Sequence, residues 1–265
     1  DKDIYNQAKA IIIKENITVL HSHYTGYDRL FSKLGKEFNL PVLMQIHNSD
    51  LEAILLEKNI IKHHIKRLFY YINMNILLSN NQKIVVGQGS YELYQANHIA
   101  NVQLMENAIL TDYIGYKNDY GHKIKSFMFI GTRLCKGIDF VLSSLPVLYT
   151  HTQDFIFNII VSDNTKSFCQ EFIAQHEYLM NNINLIDGGD VILDAFNMSD
   201  CFVSASKSET FSYAIAEALS YGVPCIINDI IGTKWALASG NVYVYKNNDV
   251  QSFVRCVCDK VNKDF

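Results

Sequence analysis

Residues 200–226 read DCFVSASKSETFSYAIAEALSYGVPCI, and few folds accept that order of residues. Cys201-Phe202-Val203 is a short apolar run, which predicts a buried strand. Ser208 and Thr210 are helix-capping types, and Phe211, Ile215, Ala218 and Leu219 then recur at helical spacing. Gly222 stands where a helix would stop in a left-handed turn, and Pro224 follows two residues later. Residues 223–227 read as the next buried strand. A strand, a helix and a second strand in this order form one unit of a parallel α/β sheet.

Such a unit turns its helix start toward the carboxyl ends of the strands. A helix start presents unpaired N–H groups and a positive dipole end, which suits a phosphate. Glu209 falls on the lip of that place. Glu217 falls about 12 Å further along a helix rising ~1.5 Å per residue. Carboxylates that far apart do not share one bond as an acid/base pair. They suit two separate polyol ends of an extended ligand whose middle is a diphosphate. The plainer alternative makes Glu209 a favourable charge at a helix start and Glu217 a solvated helical residue. Against it, Ala214, Ala216, Ala218 and Leu219 surround Glu217 with apolar neighbours, where an unpaired carboxylate is costly.

The run Ser208-Glu209-Thr210-Phe211-Ser212, followed by Glu217-Ala-Leu and by Gly222-Val-Pro224, resembles the signature of the family 4 retaining glycosyltransferases. The resemblance implies an α/β GT-B fold, two Rossmann-like parallel-sheet domains facing each other across a cleft. It also implies a role for each matching residue. Glu217 would hold the ribose hydroxyls and Glu209 the donor sugar. Thr210, Phe211 and Ser212 would border the donor. Residues 129–137, FIGTRLCKG, look like the family's strand-end loop, in which Gly131, Arg133 and Lys136 would surround the donor diphosphate. Two cations there would neutralise charge developing on a leaving phosphate. This loop departs from the usual pattern, because Thr132 stands in the arginine's place and the spacing is one residue short. Gly232 resembles the glycine-rich turn next to the donor, with Lys234 and Trp235 where an acidic residue often follows. His47 ends a strand as the family's donor-sugar histidine does.

Alternating strands and helices extend over the whole chain. Helical spacing covers 3–15, 27–38 and 91–97, and strands are expected at 17–21, 41–46, 84–86 and 101–105. A second series of strands is expected at 127–130, 155–161, 183–186, 201–203, 223–227 and 242–245. Polar residues and glycines gather at 111–124, the expected linker between an incomplete first domain (1–110) and a donor-binding second domain (125–265). Relatives begin with a strand and a Gly-rich loop, and the chain is expected to enter after that unit.

A formal net charge of −4 over 265 residues argues against a nucleic-acid partner. No apolar run nears the ~20 residues that span a bilayer. The six cysteines form no paired zinc motif, which fits a reduced, cytoplasmic protein. No acidic metal motif stands out, so no metal is expected. Residues 58–78, KNIIKHHIKRLFYYINMNILL, alternate basic and apolar side chains at helical spacing. Such a helix either lies on an anionic membrane or packs on a core with a solvated basic edge. Members of the resembled family that use lipid-linked acceptors dock through this half. Peripheral contact with the inner face of the membrane is therefore expected through 58–78.

These readings converge on transfer of a sugar from a nucleoside diphosphate sugar to a glycan or lipid-linked acceptor, with retention, in bacterial surface polysaccharide or glycolipid synthesis. The rivals are a GT-B nucleotide-sugar epimerase and a non-catalytic nucleotide-sugar-binding module. An epimerase needs a water-activating cluster in the first domain, and none stands out. A binder would show a dissociation constant and release no nucleotide.

Overall fold

The computed structural model describes residues 2–23, 25–48, 50–109, 124–189 and 192–261. The chain forms two compact units, residues 1–107 and 108–265. The expected linker at 111–124 falls outside the described residues except for Ile124.

The first unit is a four-stranded parallel sheet in the order β1-β2-β3-β4. In chain order it comprises α1 (Lys2–Lys14), β1 (Leu20–Ser22), α2 (Asp28–Phe38), β2 (Val42–Ile46), α3 (Asp50–Leu55) and α4 (Ile60–Ile72). A π turn (Asn73–Leu77) follows, then β3 (Gln82–Val85), α5 (Gln88–Ala96) and β4 (Val102–Leu104). β1 starts later than the β-branched run at 17–21 predicts. Its partner sets the limit. Asn39 ends α2 in the left-handed region (φ 53°), and the Leu20 amide donates to the Pro41 carbonyl as the first ladder bond. Residues before Leu20 therefore find no strand beside them. Alternate residues of β2 point to the two faces, and Val42, Met44 and Ile46 enter the cores.

The second unit comprises β5 (Ser126–Ile130), α6 (Ile138–His151), β6 (Ile156–Val161), α7 (Asp163–Gln175), β7 (Ile183–Asp187), α8 (Ile192–Asn197), β8 (Cys201–Ser204), α9 (Tyr213–Ser220), β9 (Cys225–Asn228), β10 (Val242–Tyr245) and α10 (Val250–Val261). A 3-10 segment, Ile231–Ser239, links β9 to β10. The six strands are all parallel and lie in the order β10-β9-β8-β5-β6-β7. Both faces are covered, which is why these strands read as continuous apolar runs. Phe127 and Phe129 pack with Val141, Leu145 and Phe253 on one face, and Met128 packs with Phe202 and Ile215 on the other.

This strand order locates a ligand place before any side chain is considered. After β5 the chain crosses to β6 on one side. After β8 it crosses to β9 on the other. The neighbouring strands β5 and β8 thus send their exit loops apart, and parallel sheets hold ligands at such a switch point, beyond the carboxyl ends.

Candidate active site at the β5 and β8 exits

The loop leaving β8 does not begin the helix that the capping types at 208 and 210 suggest. α9 starts only at Tyr213, with Ser212 at the cap in an extended conformation. Residues 205–211 are held by tertiary bonds instead. The Lys207 amide donates to the Cys135 carbonyl (2.9 Å), and its ammonium meets Asp139 at 2.7 Å. Glu209 is thus a loop residue, and the 12 Å spacing expected along one helix axis does not apply. The end of α9 follows its sequence signal. Gly222 takes φ +74°, and the Val223 amide closes back on the Ala218 carbonyl at 2.9 Å.

Two glycines bring the loops together. A Cβ on Gly232 would stand 1.9 Å from the Glu209 carbonyl oxygen, so the turn after β9 presses backbone to backbone on the loop after β8. Gly137, at φ +82°, approaches the Ala205 carbonyl so closely that a Cβ would lie 2.0 Å away. The Lys-Gly pair and the Ile-Gly-Thr turn therefore clasp the same loop from two sides. Gly131 serves packing as well. Its amide donates to the Ile160 carbonyl (2.8 Å), and a Cβ there would meet Ile138 at 2.6 Å.

Within this clasp Lys136 Nζ meets Glu209 Oε1 at 2.5 Å, and the Ser206 hydroxyl donates to the same oxygen at 2.7 Å. The pair is largely covered, with side-chain exposures of 23% and 13%. Asn228, at the end of β9, donates to the Ser206 carbonyl at 2.7 Å and thereby ties a fourth segment to the cluster. A narrow cavity of about 30 Å³ lies beside them, bordered by Phe129, Lys136, Ser206 and Ser212. Phe211 stacks on Trp235, with ring centroids 4.6 Å apart and 15° between planes. Thr210 is buried next to Glu209.

Glu217 sits in the middle of α9, half-buried. Burial pushes its carboxyl above the usual carboxylate range. Among the described residues no donor or cation meets that carboxylate. Arg133 is exposed and likewise makes no side-chain bond to a described residue. Among the described residues the site therefore holds two ion pairs, Lys136–Glu209 and Lys207–Asp139, and two charged side chains, Glu217 and Arg133, without protein partners.

His47 belongs to the first unit, just past β2. Its Nε2 lies 3.2 Å from His23 Nδ1, and its ring is stacked on that of His23. Burial, then His23, then His21 lower the pKa of His47. The pairing follows from register. β1 and β2 are parallel neighbours with Ser22 opposite Met44, so both histidines leave the same end of the sheet. Among the described residues no group of three or more His, Cys, Asp or Glu side chains is placed to hold a metal ion.

Sequence reasoning singled out Lys136 and Glu209 without pairing them, and it missed Ser206 and Asn228. Ser206 carried a signal, a small hydroxyl three residues before a carboxylate in a loop. Ser206→Ala is expected to leave the fold intact and lower stability by about 1 kcal/mol. That corresponds to a melting temperature about 2–4 °C lower in a domain of this size. An unchanged melting temperature would remove Ser206 from the support of Glu209.

Residues 124–262, more than half of the chain, match the sequence family described as glycosyl transferases group 1. No curated protein sequence matches. Among solved structures, a mutant of S. aureus TarM in complex with fondaparinux, alpha-GlcNAc-glycerol and UDP superposes with a TM-score of 0.67 at 17% identity, over 88% of this chain and 47% of that one. The pneumococcal O-GlcNAc transferase GtfA, in complex with UDP and GlcNAc, gives 0.69 at 16% identity, over 96% and 52%. Anabaena HepE with UDP and glucose gives 0.73 at 12% identity, over 97% and 71%. The chain thus spans about half the length of the TarM and GtfA structures. At these identities the likeness is one of fold, and the two parallel-sheet α/β units are of the GT-B type.

Proposed function

The chain belongs to the group 1 glycosyltransferases, and from that premise we propose that it moves a sugar from a nucleoside diphosphate sugar to a glycan or lipid-linked acceptor with retention of anomeric configuration. The observation that carries this reading is the Glu217 carboxylate, half-buried on the helix after β8 with no partner among the described residues. A charge kept in such a place without a protein partner is suited to hydroxyl donors from a ligand, here the ribose. Glu209 takes the donor sugar, and Lys136 with Arg133 takes the diphosphate. Thr210, Phe211, Ser212 and Gly232 shape the wall between them, Gly131 the floor behind them. His47, just past β2, is the residue that the family resemblance assigns to the donor sugar.

In the transfer, the bond from the anomeric carbon to the diphosphate oxygen breaks, and the acceptor oxygen bonds to that carbon from the same face. The acceptor proton passes to the departing phosphate oxygen, so no side chain serves as nucleophile. Lys136 and Arg133 offset the negative charge that collects on the leaving group, without a metal. Because TarM, GtfA and HepE were each solved with UDP, uridine nucleotides are the first donors to test. The setting we propose is bacterial surface polysaccharide or glycolipid synthesis in the cytoplasm, at the inner face of the membrane.

The test is a thermal-shift screen against nucleoside diphosphate sugars, followed by assay of nucleotide release and NMR of the product anomer. A donor that raises the melting temperature and yields a product of the donor's own anomeric configuration bears the reading out. Binding without release of nucleotide, even with acceptors supplied, leaves a binding module. Inversion at the anomeric carbon overturns the retaining assignment.

A further inference from the structure

Along the ends of β1 and β2, buried and open residues alternate, as the period of a strand requires. Leu20, Ser22, Met44 and Ile46 are buried, while His21, His23, Gln45 and His47 fall on the other, more open face. Parallel pairing, with His21 opposite Leu43 and Ser22 opposite Met44, brings these four side chains together. They are joined in a row. Gln45 hydrogen-bonds the His21 side chain, and the His21 ring centroid lies 4.1 Å from that of His23. His23 Nδ1 then meets His47 Nε2 at 3.2 Å, with 16° between the ring planes. His21 belongs to the β1–β2 ladder, so the row extends that order to the two histidines just past the strand ends.

A bond between two imidazole nitrogens is selective about charge. One ring donates and the other accepts, so a second extra proton on the pair removes the acceptor. The bond made at one nitrogen of an imidazole also decides whether the other carries the proton. Charge acts in the same sense. Burial, His23 and His21 lower the pKa of His47, and burial and His23 lower that of His21. The carboxylates at the starts of the two following helices bear on other groups. Asp28 accepts from the Ser22 hydroxyl at 2.6 Å, and Asp28 and Asp50 both raise the pKa of Tyr70 and of Tyr94. The row is not a chelate, since the accepting lone pair faces its partner's N–H and no described trio is placed to hold a metal. Adjacent titrating rings carry a cost, because each protonation repels the next.

We propose that His23 is a positioning residue for His47, fixing through the Nδ1–Nε2 bond the orientation of the His47 ring and the nitrogen that carries its proton. The inference rests on the reading that His47 serves the transfer as a neutral ring. His21 and Gln45 brace His23 in turn. An unbraced ring past a strand end gives up rotamer freedom at each encounter with substrate. The braced ring is ordered beforehand.

The experiment follows the histidine resonances by NMR from about pH 5 to 8, then turnover, for the parent, His23→Ala and His23→Asn. Asparagine sets an amide close to the place of imidazole Nδ1, so it keeps a bond to His47 without a titrating ring. In the parent, His47 is expected to titrate below the ordinary imidazole value and to hold one tautomer. His23→Ala should raise that pKa and mix the tautomers, whereas His23→Asn should keep one. Turnover of a nucleoside diphosphate sugar should fall about fivefold in His23→Ala, mainly in kcat, the worth of one hydrogen bond. Its acid limb should move to higher pH. His23→Asn should restore most of the loss, and neither variant should change the melting temperature, since His23 is exposed. A His47 pKa and tautomer indifferent to His23→Ala overturn the proposal, whatever the turnover. So does an equal loss in the Ala and Asn variants, because the bond then has no part in it. If the resonances respond as expected while His47→Ala turns over like the parent, the pairing stands and the role given to His47 in the transfer falls.

Discussion

Glu217→Gln is expected to weaken binding of a nucleoside diphosphate about tenfold, and Glu217→Ala by up to about a hundredfold, as charge-assisted hydrogen bonds of about 1.5–3 kcal/mol are exchanged or lost. The same Gln substitution is expected to raise the melting temperature of the unliganded protein at neutral pH. Both follow from one fact, a half-buried carboxylate with its pKa pushed up by burial and no partner among the described residues. The sign of the second effect is fixed by linkage. Between the unfolded pKa and the higher folded one, the native state binds more protons than the unfolded state. Stability therefore falls as pH rises through that window, and the deficit is complete above the folded pKa. Glutamine does not ionise, so it removes the deficit. A ligand that donates hydroxyls removes it too, which couples binding to stability. Parent affinity should also decline as pH drops through the raised pKa, a decline the Gln variant lacks. Calorimetric titration and thermal melts at two pH values measure all of this. A Gln variant that binds as tightly as the parent, or melts lower, removes Glu217 from the ribose contact.

What could be read in advance divides by the range of the interactions. The strands of the second sheet were legible because both faces are buried, so Phe127 to Ile130 and Cys201 to Val203 appear as unbroken apolar runs. The end of α9 was legible because Gly222 and Pro224 act locally. The start of α9 was not. Ser208 and Thr210 have the composition of a cap, yet the loop carrying them is occupied by Cys135, Lys136 and Gly232, which lie far away in sequence. The start of β1 failed for the same reason, since Pro41 and Asn39 on its neighbour set it. Motif matching named Lys136 and Glu209 separately. That they meet, and that Ser206 and Asn228 support them, depends on the sheet order that brings β5 beside β8. For 58–78, periodicity gave the stripe but no direction for it. The Tyr70–Tyr94 bond, the His63 contact with Ile54, and Met74 and Leu78 in the core show which side faces in.

Lys136→Ala is expected to weaken binding of nucleoside diphosphate about a hundredfold, with little change for the free nucleoside. A cation about 4 Å from a phosphate at an effective dielectric near 20 is worth roughly 4 kcal/mol before desolvation. Desolvation offsets part of that, and the cost is moderate because the Lys136 side chain is already only 23% exposed. A second effect acts in the same direction. Lys136 is ion-paired with Glu209, so its loss leaves a covered carboxylate beside the place proposed for the diphosphate, and like charges repel. Arg133 is exposed and unpaired among the described residues, and Arg133→Ala should cost no more than about tenfold, the worth of a solvent-screened contact. The two parts of the Lys136 effect separate in a double-mutant cycle. Adding Glu209→Gln to Lys136→Ala removes the stranded charge and should recover part of the lost affinity, whereas Glu209→Gln alone should spare nucleotide binding and depress turnover. Titration of these variants with the diphosphate and with the nucleoside decides the matter. If Lys136→Ala weakens both ligands equally, the loop after β5 is not a phosphate site. If the double variant binds no better than Lys136→Ala, the ion pair has no part in donor binding.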